Sequence, residues 1–137
     1  MFVTIFVITD ENQIILLFGN EEFELAFSFF QRFFGISIDF IWTFQTEVGR
    51  SIRISFSSFK TADQSDLLRA GDGNDSTDFR NVFFVWSGTR KPPDLFSSGH
   101  EIWLRFISPE FGVGFGISLT ATSVPSSGMY NILFVYV

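Results

Sequence analysis

From Ser51 to Phe59 the chain reads SIRISFSSF. Ile52, Ile54 and Phe56 fall on one face of an extended backbone, and Arg53 and Ser55 on the other. That period of two is the mark of a half-buried antiparallel strand. EIWLRFIS (Glu101 to Ser108) repeats it, with Ile102, Leu104 and Phe106 inward and Trp103 and Arg105 outward. GFGISLTA (Gly114 to Ala121) turns Phe115, Ile117 and Leu119 inward. Further strands are expected at Val3 to Ile8, Gln13 to Phe18, Phe23 to Phe27, Phe40 to Gln45, Leu67 to Ala70, Phe79 to Trp86 and Met129 to Val137. Turn residues separate them at Gly19-Asn20, Val48-Gly49, Asp72-Gly73-Asn74, Pro92-Pro93-Asp94, Ser97-Ser98-Gly99 and Pro125 to Gly128. Many short strands at this turn density define an all-β chain, a sandwich or a barrel. Glu21 to Phe34 also fits a short amphipathic helix; strand followed by loop is the reading adopted.

The 137 residues are one domain's worth, and 21 of them are Phe. The Phe residues spread along the whole chain, so they serve a core and not one binding stripe. The net charge is −6, and the basic residues are scattered. Nucleic acid and anionic membrane surfaces are therefore not expected as partners. With no cysteine, disulfides, zinc fingers and thiol nucleophiles are excluded, and a single histidine, His100, excludes any site needing two imidazoles. The opening apolar run lacks a basic leader and is broken by Asp10-Glu11-Asn12, so it reads as strand, turn, strand, with no signal peptide visible. No apolar run reaches the length of a spanning helix.

DLLRAGDGNDSTDF (Asp66 to Phe79) concentrates the acidic residues. It fails as an EF-hand loop: counted from Asp72, Thr77 stands where Gly is needed and Phe83 where Glu is needed. Asp72-Gly73 reads as a tight turn with a solvated polar run behind it. Asn74-Asp75-Ser76 is a glycosylation sequon, relevant if the chain is secreted. FGVGFG (Phe111 to Gly116) leads into a strand, so the helix N-terminus that binds phosphate is missing. Ser97, Ser98 and His100 read as a turn, not as part of a catalytic triad. No catalytic constellation emerges.

Several segments, taken in order, resemble the CUB domain family. DFIWTF from Asp39 resembles its D-C-x-W-x-I strand, with Phe40 at the cysteine position; RSIRISFSSF from Arg50 resembles the strand that follows. Asp66-Leu67-Leu68 with Asp72-Gly73 resembles D-x-L-x-x-x-D-G. Ser87-Gly88 with Pro92-Pro93 resembles C-G-x-x-x-P, Ser replacing Cys. Ser98 to Ser108 and Gly114-Phe115 resemble the closing segments. The resemblance spans about residues 38–124 of a single domain, 1–137, whose N- and C-terminal extensions are expected to add strands. It implies an antiparallel two-sheet β-sandwich, jelly-roll-like and of CUB type. It also implies a non-enzymatic extracellular module for protein interaction or adhesion.

Many members of that family bind calcium through acidic residues at one end of the sandwich. The resemblance puts Asp66 at one ligand position, Ala62 beside Asp63 at a second, and Pro109 beside Glu110 at a third. One matching and two displaced carboxylates, Asp63 and Glu110, make a degenerate site; calcium is not expected, and no other cofactor is. The binding loops are expected to be Ala62 to Asp66, Asp72 to Asp78 (with Asp72, Asn74, Asp75 and Asp78) and Pro109 to Gly112. The partner is expected to be a protein. A second function class is a carbohydrate-binding module stacking a glycan on an exposed Trp103 or Trp86. The family's cysteine positions fall on Phe40, on Ser87 and near Asp63.

Overall fold

The structure, a computed structural model, describes residues 2–6, 12–19, 21–31, 38–62, 64–109 and 113–126. Among the described residues ten strands form two five-stranded sheets. The first sheet runs in the order β1 (Phe2–Phe6), β3 (Glu22–Gln31), β10 (Val113–Pro125), β5 (Arg50–Lys60), β8 (Leu95–Phe96). The second runs β2 (Asn12–Leu16), β4 (Ile38–Gln45), β9 (Glu101–Ser108), β6 (Leu67–Asp72), β7 (Val82–Trp86). A 3-10 turn at Phe79–Asn81 shortens the strand expected from Phe79. Glu21 to Phe34 resolves in favour of strand as far as Gln31. The expected strand Met129 to Val137 lies outside the described residues.

All pairings are antiparallel except at two edges. β1 pairs parallel with β3, and β2 parallel with β4. The opening strand–turn–strand is therefore not a hairpin, since its two strands join different sheets.

The sheets meet through the period-two faces. Phe23 of β3 meets Phe44 of β4 edge to face at 6.0 Å, and Phe56 of β5 stacks on Phe84 of β7 at 6.3 Å. Of the residues expected inward, Ile54, Phe56, Leu104, Phe106 and Ile117 are all buried, and so is Trp42 of β4. The side chain of Phe115 lies outside the described residues. Phe40, at a cysteine-like position, is buried and sits 5.7 Å from Trp42, edge to face. A buried Phe contributes roughly 1.5–3 kcal/mol, comparable in scale to a disulfide's ~2–5 kcal/mol.

Candidate functional site

Asp66 opens the path into β6, at the end of the sandwich where β5 finishes, and it is fully buried. Its Oδ2 accepts Ala62 N at 3.0 Å, and its Oδ1 accepts the Ser108 hydroxyl at 2.5 Å. Asp66 N in turn donates to Ala62 O at 3.0 Å. The carboxylate thus holds Ala62 with one oxygen and the end of β9 with the other. Ala62 and Pro109 bring no side-chain oxygen. Asp63 and Glu110 lie outside the described residues. Among the described residues no three His, Cys, Asp or Glu converge as a metal requires. A calcium ion wants six to eight oxygens, and among the described residues Asp66 is the one carboxylate of the three candidates.

A second tie lies beside it. Gly88 N donates to Thr61 Oγ1 at 2.9 Å, and Thr61 N donates to Gly88 O at 2.9 Å. Gln64, at φ 65°, donates its N–H to Ser87 Oγ at 3.0 Å. Hydrogen bonds therefore join the strand ends at the place where the resemblance puts cysteines, at Ser87 and near Asp63.

Asp72 lies at the other end of β6. Six strand residues at ~3.3 Å each separate it from Asp66 by about 20 Å. The expected binding loops are therefore not one cluster: Ala62 to Asp66 and Pro109 stand at one end, Asp72 to Asp78 at the other. Each carboxylate of the second loop serves the backbone. Asp72 Oδ1 accepts Ser98 N at 2.8 Å, and Gly73 takes φ +86°. Asp75 Oδ1 accepts Thr77 Oγ1 and N at 2.5 and 2.9 Å, and these bonds, the hydroxyl's first, lower the Asp75 pKa. Asp78 caps the 3-10 turn through Arg80 N and pairs with the Arg80 guanidinium, whose hydrogen bond lowers the Asp78 pKa. Asn74 is exposed.

Trp103 corrects the expectation of an exposed platform: it is completely buried. The alternation places it correctly opposite Ile102 and Leu104, on the outer face. Its cross-strand partner on β6 is Gly71, and the indole lies over the space that a side chain would fill. The loop after β6 returns over the same face as far as Arg105, whose Nη1 donates to Ser76 O at 3.5 Å. Trp86 is also buried, its Nε1 donating to Arg90 O at 2.8 Å. Neither ring can stack on a glycan.

The SSGH segment likewise serves the fold. Ser97 is buried, accepts Ile52 N at 2.7 Å and donates to Gly99 O at 2.6 Å. His100 Nε2 lies 3.4 Å from Glu101 Oε1.

The family model for the CUB domain matches residues 18–119, most of the chain, and the protein belongs to the CUB domain family. The match begins earlier than the motifs, taking in β3. Among solved structures, the full extracellular region of zebrafish Gpr126/Adgrg6 is similar over 81% of this chain and 14% of that one, with 18% identity and a TM-score of 0.59. The Ca2+-bound MASP-1 CUB2 domain is similar over 78% of this chain and 96% of that one, with 16% identity and a TM-score of 0.51. This chain thus spans a small part of the zebrafish extracellular region. CUB domains are in general extracellular binding modules rather than enzymes.

Proposed function

We propose that the chain is a non-enzymatic extracellular module that binds another protein, and that it works without calcium. Family membership over residues 18–119 carries the proposal. The likeness to an extracellular receptor region supports the location. The wiring of Asp66 to Ala62 and Ser108 supports independence from calcium, since it gives the one matching carboxylate a structural role met by protein donors without an ion. The hydroxyl of Ser97 supports the absence of catalysis: it is buried and bonded to the backbone of Ile52 and Gly99. Glycosylation at the exposed Asn74 is consistent with the same location.

The test is capture. The full chain, immobilised, is passed over an array of secreted and cell-surface ectodomains with calcium and with chelator. Saturable binding to at least one protein, equal in both buffers, is expected. Capture of none, or turnover of an ester or glycoside substrate by the purified chain, would sink the proposal.

A further inference from the structure

At the end of the sandwich away from Asp66, the turn after β2 and the turn after β4 wall a groove of about 170 Å³. Its apolar side is Leu16 and Phe18, 54% and 56% exposed. Its polar side is Gln45, Glu47, His100 and Glu101. Val48, 84% exposed, stands next to Glu47 in the same turn. The walls are tied to one another. Leu17 N donates to Gln45 O at 2.8 Å, Gly19 N to Glu47 Oε1 at 2.9 Å, and Thr46 N to His100 O at 2.8 Å. Gln45 Nε2 donates to Glu101 Oε2 at 2.9 Å. A groove held in place from three strands loses little freedom when something binds. Two large apolar side chains left in water beside two carboxylates, with exposed Val48 in the adjoining turn, are the composition of an interaction surface.

We propose that this groove docks an extended segment of a partner protein through a leucine-like residue next to an arginine or lysine. The proposal rests on the interaction-module reading and adds its site. Glu47 and Glu101 complement the cation, the Phe18 ring offers it a π face, and Leu16 covers the apolar neighbour. Charge selects this occupant over two others. Residues 127–137, SGMYNILFVYV, carry no Lys or Arg and cannot neutralise the carboxylates. A second copy would bring a net charge of −6 against −6.

The test is an NMR titration of the full chain with acetyl-leucyl-arginine amide and, in parallel, with acetyl-leucyl-glutamate amide. The arginine peptide should shift the amides of Phe18, Gly19, Thr46 and Val48 saturably, and the glutamate peptide should leave them still. Combined Glu47→Gln and Glu101→Gln should weaken the arginine peptide about tenfold, the weight of a charged hydrogen bond. Phe18→Ser, at an exposed position, should weaken it with both carboxylates intact. Equal response to both peptides, shifts confined to the Asp66 end, or unchanged affinity in both variants overturns the proposal. So does a groove already filled, seen as concentration-dependent shifts at these amides or as NOEs from residues 127–137 to Phe18. Array capture that survives both variants would sink this site and leave the interaction module standing. A groove that binds the arginine peptide in a chain that captures nothing would do the reverse.

Discussion

Gly71→Ala isolates the packing on the outer face of the second sheet. The backbone at Gly71 is not left-handed, so an alanine there meets no dihedral penalty. In an open strand the change would stabilise by about 0.5–1 kcal/mol, because glycine loses more freedom on folding. Here the added Cβ would stand 2.3 Å from Trp103 Cζ2 and 2.4 Å from its Cε2. Both are far inside contact distance, and the ring is fully buried, so it must displace its surroundings to move. Overpacking of this kind costs about 1–3 kcal/mol. The net expectation is a loss of about 1–2 kcal/mol, or a fall in Tm of roughly 3–7 °C for a domain of this size. Urea unfolding measures it, with tryptophan fluorescence showing whether the ring is pushed into water. In a Trp103→Ala background the same change should become neutral or stabilising. A Gly71→Ala chain as stable as the parent, or a loss of equal size in both backgrounds, would refute the packing.

Phe40→Ala should destabilise by about 3–5 kcal/mol, as expected for a buried ring; an unmoved denaturant midpoint would make Phe40 peripheral. Thr61→Val keeps the shape but strips the acceptor from Gly88 N; leaving that buried donor unmade should cost about 1–3 kcal/mol by urea unfolding. Asp75 and Asp78 should titrate by NMR below the ordinary 3.8. Because folding depresses both values, their contribution is present above that pH and is lost as pH falls through the lowered values. Thr77→Ala should bring Asp75 back up, having removed the largest cause.

Strand positions and the inward faces of β5 and β9 were legible because a half-buried strand writes its environment into every second residue. Three features were not. Period two says which face Trp103 takes, not whether that face is covered; the signal lay on another strand, in the missing side chain of Gly71. Asp66 and Asp72 are close in sequence, yet an intervening strand carries them to opposite ends. The parallel pairings of β1 and β2 depend on which sheet each joins, and neither strand's composition records that choice. The Asp66 wiring was hidden for a similar reason, since Ser108 reaches it only through the pairing of β6 with β9.

Thermal unfolding with calcium and with chelator tests most directly whether the Asp66 end is closed. A bound ion at one hundred times its dissociation constant would add about 2.7 kcal/mol, a shift of several degrees. The wiring of Asp66 to Ala62 and Ser108 predicts superimposable curves at millimolar calcium. A rise of several degrees that disappears in Asp66→Asn would contradict it and make that end of the sandwich a metal site.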